Sequence, residues 1–139
     1  MWENNILITE MMKYYTGDPK RIQHFIKVYQ FAKMIGELEK LPEEVQYILE
    51  TAAIVHDIGI KPAEEKYGSC GGKLQEQEGP AAAEEMLQRL GYRPEVIDRV
   101  CYLWDIIIPM IILTAAITGF SWRPIFLLIF MRTAYQRRP

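Results

Sequence analysis

The chain has 139 residues, of which 50% are hydrophobic, and its 16 basic and 18 acidic side chains give a formal charge of −2. This length allows one domain with a modest core, and the apolar content excludes a disordered polypeptide. The near balance of charge gives no reason to expect nucleic acid as the main partner.

The cysteines and the first residues indicate a cytoplasmic protein. Cys70 and Cys101 lie far apart, without the spacing of a metal-binding clip or a disulfide framework, so a reducing compartment is expected. Residues 1–5 lack the basic segment and apolar run of a secretion signal, so no export is predicted.

The first half of the chain predicts three helices. An amphipathic stretch from Trp2 to about Tyr15 ends at Thr16-Gly17, and Asp18-Pro19 then supplies an N-cap and a first-turn proline. The second helix extends to about Gly36, with apolar residues at three- and four-residue spacing on its buried face: Ile22, Phe25, Ile26, Tyr29 and Ala32. A third helix begins at Leu41-Pro42-Glu43-Glu44 and ends near Asp57, its first-turn carboxylates favoured by the helix dipole.

The pattern is less regular after this point. Gly59 to Gly72 is predicted to be a loop, and Gln75 to Leu90 a helix that Gly79-Pro80 could interrupt. Gly91 is a natural helix C-cap, and Pro94 can open a further helix through Cys101. No segment alternates as a strand does, so the fold is predicted to be an all-α helical bundle.

The third helix carries the most informative residues. It ends in adjacent His56 and Asp57, and the only other histidine of the chain, His24, lies on the second helix. Imidazole and carboxylate together suit divalent transition metals, and two helices that face each other can build such a site inside a bundle. Gly59 is expected to turn the chain sharply away and leave the pair open to a pocket. The alternative is a histidine that is simply hydrogen-bonded in the core.

The spacing of these residues resembles the HD superfamily of metal-dependent phosphohydrolases. His24 lies in Arg21-Ile22-Gln23-His24-Phe25, and 32 residues on comes His56-Asp57-Ile58-Gly59. The resemblance covers roughly residues 15–103 and implies a metal held by His24, His56, Asp57 and one distant aspartate, with Asp57 also helping to deprotonate or orient the attacking water. It implies hydrolysis of a phosphate ester, often in a nucleotide, with Mn, Fe, Ni, Zn or Mg as the divalent cofactor.

The distant aspartate has no clear counterpart. After Asp57 only Asp98 and Asp105 remain, neither in an apolar helical context, and no histidine follows His56. We assign neither aspartate as a ligand. Three ligands would bind a metal loosely, so impaired catalysis is expected.

Three lysines are candidate substrate-binding residues. Lys61, Lys66 and Lys73 lie in or beside the glycine-containing segment that follows the histidine-aspartate pair. There they could meet the phosphate of a phosphorylated small molecule, and the alternative is that they are ordinary solvated lysines.

Composition changes abruptly near Trp104. Residues 1–103 carry 12 basic and 17 acidic side chains, a net charge of −5, whereas residues 104–139 contain no lysine or glutamate and have a net charge of +3. The third base of each codon can be read together with the first two bases of the next codon, which shifts the reading frame. In this shifted frame, the codons permit a histidine cluster across residues 104–108 and acidic residues later, which the resemblance to the HD superfamily implies. The sequence therefore predicts an HD-type domain at residues 1–103 and an aberrant, non-native tail at 104–139, produced by a one-base deletion.

Two alternatives to a phosphohydrolase remain open. The first is a non-catalytic helical domain used for binding. The second takes the tail at face value: residues 106–122 are just long enough to cross a bilayer, with the later arginines as cytoplasmic anchors. In that case the protein would be an HD-like domain anchored to a membrane.

Overall fold

The computed structural model describes residues 2–69 and 72–104, and across these ranges the chain forms helices joined by short turns, with no strand. The all-α prediction is confirmed. The helices are α1 (Trp2–Tyr14), α2 (Pro19–Leu38), α3 (Glu43–Val55), α4 (Ile60–Tyr67), α5 (Gly72–Arg89) and α6 (residues 94–104).

Some sequence predictions fall outside these residues. Cys70 and everything from residue 105 onward, including the hypothetical membrane span at 106–122, lie outside the described ranges. Within those ranges, no helix combines the length and the apolar character that crossing a bilayer requires.

The predicted start of α2 is confirmed in detail. Gly17 ends the α1 turn with a φ of +88°, a backbone conformation that favours glycine. The Asp18 carboxylate then accepts a hydrogen bond of 3.1 Å from the Arg21 backbone N–H, and Pro19 opens the helix. This cap fixes where α2 begins and therefore where His24 lies along it.

Helix α3 is the centre of the bundle. All residues from 48 to 55 are buried, and α2 and α1 pack against this helix. The core continues into α5 and α6 through Ala83, Met86, Leu87, Val96 and Val100. Because α3 is surrounded, the residues at its C-terminal end emerge in the interior of the molecule rather than on its surface.

Close approach of α2 and α3 depends on Gly36. The Gln46 carboxamide occupies the space where a side chain at Gly36 would begin. The same carboxamide donates hydrogen bonds to the Lys33 carbonyl (3.2 Å) and to Glu50 Oε1 (2.7 Å). The two helices that carry the histidines are thus held together at the end opposite to the histidines.

Two local predictions were wrong. The segment predicted as a loop from Gly59 to Gly72 contains helix α4, which tolerates Pro62 in its first turn and ends at Gly68 with a φ of +68°. Gly59 itself has φ −72° and ψ −13°, so it continues an ordinary right-handed turn and does not send the chain sharply away. The predicted opening of His56-Asp57 by this glycine is not seen.

The structure also settles the question of Gly79-Pro80. Helix α5 runs through both residues without interruption. Glycine before proline lacks the Cβ that would clash with the proline ring, which makes helical backbone accessible at this position. Trp104 of α6 packs over Gly79, and its indole occupies the space that a Cβ there would take.

This contact makes Gly79→Ala a test of the α5–α6 packing. Replacing glycine by alanine inside a helix ordinarily stabilises it by about 1 kcal/mol, and the contact of a Cβ with the following Pro80 ring removes part of that gain here. Because the new methyl would overlap the buried Trp104 indole, we expect instead a loss of about 1–3 kcal/mol of unfolding free energy, measured by urea denaturation. An unchanged or increased stability would show that the indole does not occupy this position.

Candidate metal centre

Three predicted ligands come together where α2 passes the end of α3. His24 lies in the first half of α2, His56 is the residue that caps α3, and Asp57 follows it in the turn to α4. Their ligating atoms all lie within 4.8 Å of one another. The prediction that the two histidines are on facing helices is confirmed, because α2 packs along α3.

The facing atoms form a small triangle. His24 Nε2 lies 3.2 Å from His56 Nε2 and 3.2 Å from Asp57 Oδ2, and His56 Nε2 lies 3.1 Å from the same oxygen. Each of these atoms can present a lone pair. Three lone pairs at this separation repel one another unless a proton or a cation lies between them.

The backbone sets the tautomer of His56. Its Nδ1 lies 2.7 Å from the Ala53 carbonyl, and since a carbonyl can only accept, Nδ1 carries the hydrogen. In the neutral ring, Nε2 is then the unprotonated nitrogen, facing His24 and Asp57. Such a hydrogen bond on the far nitrogen is the usual way in which proteins orient a metal-binding imidazole.

Burial and charge act together on Asp57. Burial would raise the pKa of its carboxyl, but the charge of His56 and the hydrogen bonds from His24 and His56 hold that pKa well below the usual range. For His56, burial lowers the pKa, and the Asp57 charge and hydrogen bonds more than offset it and raise the pKa above its ordinary value. Asp57 is therefore an anion at neutral pH, the form that binds cations, and His56 presents its Nε2 lone pair when a metal cation displaces the proton that Asp57 favours there.

The donor set fits a divalent transition metal. Ligands at about 2.0–2.1 Å from one such ion lie about 2.8–3.0 Å from each other in octahedral geometry and about 3.3–3.4 Å in tetrahedral geometry, an interval of about 2.8–3.4 Å in all. The observed separations of 3.1–3.2 Å fall in this interval. Two imidazole nitrogens and a carboxylate oxygen suit Zn, Fe, Mn or Ni in particular.

The three side chains of this triangle differ in their exposure to solvent. The His56 side chain is 4% exposed and that of Asp57 13%, whereas 42% of the His24 side chain is exposed. Two of the ligands are therefore held by the core, and His24 of α2 is the ligand most open to solvent.

Comparison with known protein families identifies the relationship. The model of the HD domain matches residues 21–113, which include both histidines and Asp57. The chain belongs to the HD-domain family. HD domains are metal-dependent phosphohydrolases and bind divalent metals, in agreement with the His24, His56 and Asp57 cluster. Searches of curated proteins and of solved structures gave no match.

A fourth ligand is not found in the described part of this HD domain. The candidate group consists of His24, His56 and Asp57 alone. Asp98 lies exposed on α6 and is not a member, and Asp105 is outside the described residues. The role of His24, His56 and Asp57 as actual ligands stays a prediction.

Sequence reasoning missed two tyrosines at the end of α1. The Tyr15 hydroxyl donates a hydrogen bond to the Asp57 backbone carbonyl, and the Tyr14 hydroxyl donates one of 3.0 Å to the next carbonyl, that of Ile58. Tyr15 is 3% exposed. Burial raises the pKa of both phenols, that of Tyr14 to about 12, so both remain hydrogen-bond donors at neutral pH. The only sequence signal was an aromatic pair just before the Thr16-Gly17 turn.

The three candidate lysines lie in different surroundings. Lys61 donates to the Tyr14 carbonyl at 3.2 Å and lies 4.9 Å from the centre of the Tyr14 ring. Lys66 forms an ion pair of 2.6 Å with Glu78 of α5. Lys73 is exposed at the start of α5. Phosphate binding by these lysines remains a prediction.

Proposed function

We propose that this chain binds one divalent metal ion through His24, His56 and Asp57, and that the site hydrolyses a phosphate ester of a small molecule, with nucleotides the first class to test. The observation that carries the proposal is the convergence of three lone-pair atoms at 3.1–3.2 Å. Membership of the HD family supports the reaction type.

Each ligand has a distinct part in this proposal. A bound divalent metal would supply Lewis-acid polarisation of the phosphoryl group and of water. His56 is held by the Ala53 carbonyl and keeps Nε2 directed at the site. Asp57, an anion at neutral pH, supplies negative charge to bind the cation and a second oxygen that can orient the attacking water or accept its proton.

Substrate would approach from the exposed side of His24. A cavity of about 350 Å³ is lined by Tyr15, which bonds the Asp57 carbonyl, and by Arg21, Lys61 and Glu64, among others, but not by His24, His56 or Asp57 themselves. Its volume lies at the lower end of the range for small-molecule sites. Of the three candidate lysines, Lys61 is the one that lines this cavity, and binding a phosphate there requires it to leave its contact with Tyr14.

We also propose that the activity of this chain is impaired. Only three ligands are found in the described residues, one fewer than the resemblance to the HD superfamily implies, and a site that lacks one of its ligands binds metal less tightly. A one-base deletion near codon 103 or 104 accounts for the missing aspartate and histidines and for the change in composition there. Independent resequencing of codons 100–139 tests this part: if the third bases at codons 105–107 do not permit histidine, the deletion hypothesis is wrong.

Metal analysis and hydrolysis together test the function. The full chain, loaded with Mn²⁺, Fe²⁺ or Zn²⁺ and dialysed, is expected to retain up to about one equivalent of metal by mass spectrometry. With added Mn²⁺ it should hydrolyse p-nitrophenyl phosphate or a nucleoside monophosphate slowly, and the chelator EDTA should stop the reaction.

A non-catalytic binding domain is the second candidate, and the three-ligand site is the observation that favours it. Metal retention without hydrolysis of any phosphate ester tested would support this alternative. Absence of metal retention with every divalent ion would contradict the proposed metal centre itself.

A further inference from the structure

The turn that carries Asp57 accepts hydrogen bonds from residues that precede the region matched by the family model. The family match begins at residue 21, whereas Tyr14 and Tyr15 end α1 and precede it. Their hydroxyl groups bond two successive backbone carbonyls 42 and 44 residues later in the chain, those of Asp57 and Ile58. The first of these carbonyls belongs to a predicted metal ligand.

The turn that carries Asp57 also has a backbone hydrogen bond of its own. The Asp57 carbonyl also accepts a hydrogen bond of 3.0 Å from the Ile60 N–H at the start of α4. After removal of the tyrosine hydroxyl this carbonyl keeps the Ile60 N–H, and the turn is not expected to unfold. What is lost is the constraint on the direction of the Asp57 carbonyl. The Asp57 side chain is attached to the backbone next to this carbonyl, so its position depends on that direction.

The tyrosines are themselves held in place. The Tyr14 and Tyr15 rings meet edge to face with centroids 5.0 Å apart, and the Arg21 guanidinium lies 5.8 Å from the Tyr15 centroid. Arg21 in turn forms two parallel hydrogen bonds, of 3.1 and 2.6 Å, with the Glu64 carboxylate of α4. Such a bidentate pair fixes orientation as well as distance.

We propose that Tyr15, supported by Tyr14, is a positioning residue of the metal centre: its hydrogen bond to the Asp57 carbonyl sets where the Asp57 carboxylate lies relative to His24 and His56. This inference rests on the proposed metal centre. It makes α1 part of the functional unit, since outer hydrogen bonds of this kind determine how tightly a set of ligands binds metal.

The test compares two tyrosines that make equivalent hydrogen bonds in different places. Tyr15→Phe removes the bond to the Asp57 carbonyl. Tyr92→Phe removes a buried bond of 3.0 Å to Asn4 Oδ1, an atom that keeps a second donor in the Thr51 hydroxyl. Both variants lose one buried tyrosine hydroxyl while its acceptor keeps another donor, and Tyr92→Phe also loses a hydrogen bond with Tyr47. The thermal stability of Tyr92→Phe should therefore fall at least as much as that of Tyr15→Phe.

Metal affinity should distinguish Tyr15→Phe from Tyr92→Phe. Titration of the full chain with Co²⁺ should show an affinity about 10-fold weaker for Tyr15→Phe, with altered visible absorption bands, and an unchanged affinity and spectrum for Tyr92→Phe. Tyr14→Phe, whose acceptor is one residue beyond the ligand, should give a smaller loss. It also keeps the proposal testable if Tyr15→Phe does not fold.

Three results would overturn the inference in distinguishable ways. If the unaltered chain binds no Co²⁺, the proposed metal centre fails and this role fails with it. If the unaltered chain binds Co²⁺ and the Tyr15→Phe and Tyr14→Phe variants bind it equally well, the metal centre stands and the positioning role is wrong. If Tyr92→Phe weakens binding as much as Tyr15→Phe, the effect is one of general stability and the positioning role is again wrong.

Discussion

Replacing His56 by alanine is expected to abolish retention of metal. The imidazole is one of only three ligating groups found in the described residues, and it is the most deeply buried of them. Loss of an outer hydrogen bond costs about 10–100-fold in metal affinity, so loss of a ligand should cost at least about 100-fold, or about 2.7 kcal/mol. The measurement is the Mn²⁺ or Zn²⁺ content after dialysis, together with the dissociation constant by calorimetry.

Two further variants make this result specific. Asp57→Asn keeps the size of the side chain and removes the charge, so it should weaken metal binding strongly with little change in packing. Asp98→Asn alters an exposed aspartate on α6 that is not part of the cluster, and it should bind metal like the unaltered chain. Circular dichroism and unfolding midpoints establish that each variant is folded. Equal metal content in His56→Ala and the unaltered chain would place the metal elsewhere.

Inserting one base at codon 103 or 104 is expected to have the second large effect, in the opposite direction. If the tail arose by a deletion, the restored reading frame supplies histidines and an aspartate after residue 103. A fourth ligand would complete the coordination begun by His24, His56 and Asp57. We expect metal affinity to rise by at least about 100-fold and hydrolysis of phosphate esters to rise with it.

The control for this experiment is a chain that ends after residue 104, which keeps the buried Trp104 of α6. It lacks the tail in either reading frame, so it should bind metal no more tightly than the unaltered chain. If the restored chain binds metal no better than this control, the missing ligands do not lie in the shifted frame. The tail would then have to be explained as it stands, as a binding or membrane-anchoring segment.

Helix boundaries were predictable where short-range chemistry determines them. Asp18-Pro19 identified the start of α2 because an N-cap and a first-turn proline act within one helical turn. The same local reasoning did not predict α4. The glycines on either side of this segment indicated a loop, although the residues between them form a helix. The prediction was also uncertain at Gly79-Pro80, where the helix is continuous and Trp104 covers the glycine.

By itself, the sequence determined that the protein is helical, that His24, His56 and Asp57 are the metal-ligand candidates, and that the family is HD. Only the tertiary structure decided that these three side chains meet within hydrogen-bond distance and that Tyr14 and Tyr15 hold the turn beside them. Helix propensity and capping act over a few residues and can be read along the chain. Contacts between residues 32 to 44 positions apart depend on how α1, α2 and α3 pack, and no local pattern encodes that packing.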